Sequence, residues 1–248
     1  MIITEGIVLK ERFSGEHDKF IDILTKDRGI IEICVKGARK INGKSGSSAQ
    51  LFAYSKFCID FRKNMYFLNS AEPIHIFYGL RNSLAALSLA SYFSDILRYC
   101  IQEKSDGENI IRLFLNTLHF LEKGLRSEKQ LKAIFELRLM SETGFMPDVL
   151  VCRKCGAFEP QELCFNIPDG SFVCKDCFCG EYDNFFSVKL PVLSAVRHIV
   201  LTDFDRLFNF RVSEETLEIL SEFAEAYIQA HTERSFNTLD FYKSLKGK

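Results

Sequence analysis

The chain has 248 residues, a net charge of −1, and hydrophobic and charged fractions of 47% and 26%; these are globular values that argue against extended disorder and allow one large domain or a few small ones. Glu5, Lys10, Glu11 and Arg12 break the opening segment, so no signal peptide is expected. The most apolar helical stretch, Ile110 to Leu121, is interrupted by Arg112, Asn116 and His119 and is too short to cross a bilayer, so a cytoplasmic protein with no membrane partner is expected, whose nine cysteines favour metal ligation over disulfides.

The first seventy-odd residues read as short strands. Thr4 to Lys10 is apolar and β-branched, and Lys19 to Thr25 ends in the turn Lys26-Asp27-Arg28-Gly29. Ile30 to Val35 sets Ile31, Ile33 and Val35 on one face. Residues 37–50, rich in Gly, Ser and Lys, form a long loop. Ala53 to Phe61 alternates again, with Ser55, Phe57, Ile59 and Phe61 sharing a face, and Arg62-Lys63-Asn64 turns the chain into a strand from Met65 to Ser70 that Pro73 closes off. Five short antiparallel strands predict a small closed barrel of the OB type.

Beyond Pro73 the period becomes helical. Leu80 to Cys100, Glu108 to Lys123 and Glu128 to Thr143 each carry apolar residues at helical spacing. Ser127 and Gln130 read as a capping box, and Gly144 and Pro147 as a stop. A cysteine module spans 150–180. Helices follow over Pro191 to Thr202, Glu214 to Thr232 behind the N-cap Ser213, and Leu239 to Leu245. The fold class is therefore α+β: an OB barrel over 1–73, a helical domain from 74–149 and 181–248, and an inserted module over 150–180.

Cys152-x-x-Cys155 and Cys174-x-x-Cys177, separated by eighteen residues, have the spacing of a Cys₄ zinc site, each pair clamping half of a tetrahedron. Four thiolates fill the coordination sphere, so one structural Zn²⁺ is expected, without the open position that catalysis needs. Cys179 or Cys164 could replace one member of the quartet. None of the five histidines is followed two residues on by Glu, and Cys177 lacks the flanking proline of a nucleobase deaminase. No catalytic constellation emerges elsewhere, and an enzyme is not expected.

Charge is distributed unevenly. Between Ile33 and Met65, seven cations (Lys36, Arg39, Lys40, Lys44, Lys56, Arg62, Lys63) face one acid, Asp60, as in a polyanion-binding module on a neutral scaffold. Lys36, Arg39, Lys40 and Lys44, with Arg62 and Lys63, are the candidate DNA-binding residues; the competing reading is a solvated loop. The interspersed rings of Phe13, Tyr54, Phe57, Phe61, Tyr66 and Phe67 are assigned mostly to the barrel core. Gly43-Lys44-Ser45 imitates the end of a P-loop, but the required first glycine is Ala38 and no helix follows, so nucleotide hydrolysis is not expected.

Several segments together resemble one family. Gly6-Ile-Val-Leu9, Arg12-Phe13, Lys36-Gly37-Ala38-Arg39, and Phe135-Glu136-Leu137-Arg138-Leu139 before Gly144, Pro147-Asp148 and Cys152-x-x-Cys155-Gly156 are similar to the bacterial RecO recombination mediators over almost the full length. The resemblance implies binding of single- and double-stranded DNA, annealing of complementary strands, and action with RecR. It also implies help in loading RecA onto DNA coated by single-strand-binding protein, whose C-terminal tail such proteins contact through the helical domain. Arg138 is the candidate for that contact. Gln50-Leu51-Phe52 and Phe236-Asn237-Thr238 depart from the family pattern. The alternative is a zinc-containing OB-fold RNA-binding or transcription-associated protein without annealing activity.

Overall fold

The computed structural model describes residues 1–38, 46–103, 107–180 and 185–247. They form two compact units, Met1–Lys123 with Phe236–Lys248, and Gly124–Ser235.

In the first unit, β1 (Ile2–Ser14), β2 (Asp18–Thr25), β3 (Gly29–Val35), β4 (Ala53–Arg62) and β5 (Met65–Ile76) close into a barrel of order β1-β2-β3-β5-β4. β1 pairs with both β2 and β4, and only β3–β5 is parallel. This is the OB topology the alternation predicts. Val8, Ile21, Ile23, Ile31, Ile33, Val35, Phe57 and Ile59 fill the interior, every second residue of each strand pointing inward. The strands overrun their predicted ends. β5 continues through Pro73, where a register shift opposite Tyr54 and Ser55 accommodates the residue without a ladder donor. Proline is tolerated because, among the described residues, β3 pairs only with Tyr66 and Phe67 and the stretch of β5 around Pro73 is paired with β4 alone.

A 3₁₀ turn over Tyr78–Asn82 precedes α1 (Leu84–Cys100), so α1 starts at Leu84 and not at Leu80. Ser83 sets that start by accepting the Ala86 N–H at 3.2 Å. α2 (Glu108–Lys123) has the predicted limits. Asp22 of β2 accepts from Arg98 of α1 at 2.7 Å, and Phe52 meets Phe114 of α2 edge-on, tying barrel to helices. The last helix, α6 (Asn237–Lys246), packs on α1, with Phe236 edge-on to Tyr92 and Thr238 bonded to Asp95.

The second unit holds α3 (Glu128–Glu142), β6 (Glu162–Asn166), β7 (Ser171–Cys174), β8 (Phe185–Lys189), α4 (Leu190–Leu201) and α5 (Glu214–Thr232). Ser127 caps α3 as predicted by accepting from Gln130 N, and the Gln130 side-chain amide donates to the Phe210 carbonyl. At the other end Phe145 N–H reaches Met140 O at 2.8 Å and Gly144 N–H reaches Ser141 O, a Schellman closure requiring the φ of +94° that Gly144 supplies. The antiparallel sheet β7-β6-β8 had no counterpart among the predicted elements. Its strands have four or five residues, too short for alternation to stand out. Phe165 packs edge-on to Phe223 of α5 at 4.9 Å, seating the sheet on that helix. No described helix is long and apolar enough to cross a membrane.

Candidate nucleic-acid interface and metal centre

The β4–β5 hairpin turns on Lys63 and Asn64, both with positive φ (50° and 59°), between the paired residues Arg62 and Met65. A two-residue loop with both residues in that region matches the right-handed twist of its strands, and it carries Arg62 and Lys63 into solvent. Lys36, just past the end of β3, arrives from the other side because Cys34 pairs with Phe67 of β5. The two cations meet on one ring: Arg62 Cζ lies 4.8 Å and Lys36 Nζ 5.3 Å from the Phe67 centroid. Each such interaction is worth about 0.5–1 kcal/mol at an exposed site; its larger effect is to hold two positive charges on one surface. Arg39, Lys40 and Lys44 lie outside the described residues.

The assignment of most barrel aromatics to the core is corrected. Phe57 is fully buried, but Phe13 and Phe61 are 59% and 55% exposed, and Tyr54, Tyr66 and Phe67 are partly exposed. Alternation continues along β1, β4 and β5 beyond the section where the barrel has an inside, so a residue can be in phase with the core and still reach solvent. Phe61 and Tyr66 face each other across the hairpin with centroids 4.8 Å apart.

In the second unit the sulfurs of Cys152, Cys155, Cys174 and Cys177 all lie within 4.8 Å of one another, so one metal ion could touch all four. The first pair sits on a knuckle. Cys152 N–H donates to Ala157 O and Gly156 N–H to Cys152 O, both at 2.9 Å, and Gly156 takes φ +75° to allow it. The second pair spans the end of β7 and a 3₁₀ turn, and Cys174 N–H donates to the Cys152 sulfur at 3.3 Å. Burial would push the Cys152 thiol up, but the backbone groups of Cys155, Cys174 and Lys154 outweigh it and hold the thiol down at about 6. Hydrogen bonding with Cys174 and Cys155 pushes Cys177 up to about 12. Cys164 is buried in β6, and exposed Cys179 accepts from Lys154 Nζ at 2.9 Å; neither belongs to the quartet.

Arg138 is not an exposed helical cation. Its side chain is 11% exposed and pairs with Glu142 at 2.9 Å. Nη1 donates to the carbonyls of Ile199, Val200 and Thr202 at the end of α4, and the guanidinium lies over Phe204. These carbonyls have no intrahelical donors of their own, and a cation there also opposes the helix dipole. Sequence spacing could not have found these partners, which lie more than sixty residues away.

Two family sequence models match the chain: "Recombination protein O N terminal" over residues 1–77 and "Recombination protein O C terminal" over 81–240. Among similar proteins, "DNA repair protein RecO" of Acetivibrio thermocellus is 35% identical over 242 residues, covering 98% of this chain and 96% of the relative. The proteins of the same description from Alkaliphilus metalliredigens and Caldicellulosiruptor saccharolyticus are 30% and 29% identical, with at least 99% of each chain covered.

Proposed function

The chain belongs to the RecO family of DNA repair proteins, and from that premise we propose that it binds single- and double-stranded DNA and anneals complementary strands without making or breaking covalent bonds. The observation that carries this reading is the convergence of Lys36 and Arg62 on Phe67 at the surface of an OB barrel, a place where cations can follow a phosphate backbone. Lys63 extends the same surface, and Arg39, Lys40 and Lys44 are proposed to continue it. In this reading residues 1–73 are the DNA-binding domain, 74–149 and 181–248 the helical domain, and 150–180 the metal module of a cytoplasmic, nucleoid-associated protein.

The metal is proposed to be a single structural Zn²⁺. Four soft thiolates suit zinc, and a Zn–S bond of about 2.3 Å gives a tetrahedral edge of about 3.8 Å, against 3.6 Å between the Cys155 and Cys174 sulfurs. Zinc would supply no reaction here. It would neutralise the thiolates and lock β7 to the Cys152 knuckle.

RecR and the C-terminal tail of single-strand-binding protein are the proposed protein partners, with RecA loading as the indirect outcome. Arg138, proposed for the tail contact, would take part through the α4 terminus it holds, since its Nε and Nη1 are engaged within the second unit. The decisive experiment is annealing of complementary oligonucleotides, bare and coated with single-strand-binding protein with and without its tail. Acceleration on both bare and coated strands, with the coated case dependent on the tail, is expected; no acceleration on either overturns the proposal.

A further inference from the structure

We propose that the groove beside the β4–β5 hairpin is a subsite for an unpaired nucleobase, which stacks on Phe61 while its phosphates run along Arg62 and Lys63; this rests on the DNA-binding reading above and deepens it. Glu32, Phe61, Asn64, Met65, Tyr66 and Glu103 line a space of about 430 Å³, within the range of small-ligand clefts. Its walls are of mixed chemistry. Phe61 leaves 55% of its surface to solvent, although it is in phase with the buried residues Phe57 and Ile59. A hairpin-end aromatic pair stabilises the turn by itself, but that role does not require a groove beside it.

Tyr66 explains why the platform is firm. One side of its ring packs on the barrel core, and its hydroxyl donates to Glu103 Oε1 at 3.1 Å. Burial first, and then this bond, push its ionisation up; the ring lies 4.8 Å from Phe61.

The charges decide what occupies the groove. Glu103 repels a phosphate, and Glu32 is already ion-paired with Arg12, whereas a base can offer N–H groups to carboxylate oxygens and a π face to Phe61. Arg62 follows Phe61 in β4 and so points to the opposite face of the strand, where it and Lys36 lie over Phe67. Lys63 sits on the turn at the edge between the two faces, and all three cations are exposed. The cations and the carboxylate-lined groove therefore lie on the two sides of the hairpin end. A single strand, with its phosphates and free bases on separate edges, satisfies both; a duplex keeps its bases stacked and has none to insert.

The test uses the full chain and measures fluorescence anisotropy with a labelled single strand, the same strand carrying abasic tetrahydrofuran residues, and a duplex of equal length. Phe61→Ala should weaken binding of the base-bearing strand roughly tenfold or more, leave the abasic strand and the duplex unchanged, and not alter the salt dependence. Phe61→Leu retains apolar area without a π face and should lose much of the same affinity, with thermal unfolding checking that both variants are folded. Equal losses on all three ligands, or none, overturn the subsite. Phe61→Ala that spares the base-bearing strand but weakens an acidic, aromatic-ended peptide also overturns it and reassigns the groove to protein. Failure of the unaltered protein to bind any strand defeats the DNA-binding reading itself, an outcome distinct from the others.

Discussion

Arg62 lies over the ring of Phe67, 4.8 Å from its centroid, and the same ring carries Lys36 at 5.3 Å. The two cations are 26 positions apart in sequence and come together because β3 and β5 run parallel through Cys34 and Phe67. Each cation is held by the π electrons of the ring, and a phosphate contacted by either would hold it further.

Lys36→Ala combined with Arg62→Ala should therefore weaken DNA binding similarly for all sequences. It should also reduce the slope of log K against log salt by about 1 for each phosphate that is no longer neutralised. Titrations at low and moderate salt measure this slope directly. An unchanged slope would remove these residues from the interface, leaving the charge excess of 33–65 to the residues outside the described region.

Metal content separates the quartet from its neighbours. Cys152→Ser removes the most buried ligand, 1% exposed, and should abolish stoichiometric zinc and lower the melting temperature of the second unit. Cys179→Ser removes a sulfur held by Lys154 outside the cluster and should leave both unchanged. Removal of metal by a chelator should reproduce the Cys152→Ser melting curve, since metal binding and local folding are linked. Zinc retained by Cys152→Ser and lost by Cys179→Ser would reassign the fourth ligand.

The barrel, the helices and the cysteine quartet were legible because each writes a local pattern: period two in β3, period 3.6 in α2 and α5, and fixed spacing in the two Cys-x-x-Cys pairs. Ser127, Ser213 and Gly144 marked helix ends for the same reason. What escaped depends on distant partners. Phe61 follows the core phase of β4, and only the length by which β4 outruns the barrel puts it in solvent. Pro73 reads as a stop unless one side of β5 is known to be unpaired. Lys19 looks like an ordinary strand cation, yet it is 6% exposed and bonded to Glu11 and to the carbonyl of Ala49.

Arg138 offers a test of role. If it holds the end of α4, Arg138→Ala should destabilise the second unit by about 2–3 kcal/mol, the range for loss of charged hydrogen bonds. Any loss of tail binding should then track unfolding. Arg138→Lys keeps the charge but not the fork that serves three carbonyls and Glu142, and should recover only part of the stability. A weakened tail affinity at full stability would instead make Arg138 a direct contact.

Lys132 makes the last prediction. Its ammonium, on a side chain 3% exposed, lies 3.1 Å from both Glu136 Oε2 and Glu225 Oε2 and 3.3 Å from the Ser221 carbonyl, joining α3 to α5. Glu136 is fully buried. Removing the cation alone leaves that carboxylate in the interior without its neutralising partner, so Lys132→Met should cost about 3–5 kcal/mol. Lys132→Met with Glu136→Leu should restore part of the loss, because apolar side chains replace the two most deeply buried charges of the cluster, while Glu225, 16% exposed, keeps its carboxylate. Urea unfolding of the two variants measures the difference. The barrel cations lie in the other unit, so the salt dependence of DNA binding should be the same in both variants. A double variant as unstable as the single one would mean that the α3–α5 contact needs the ions themselves.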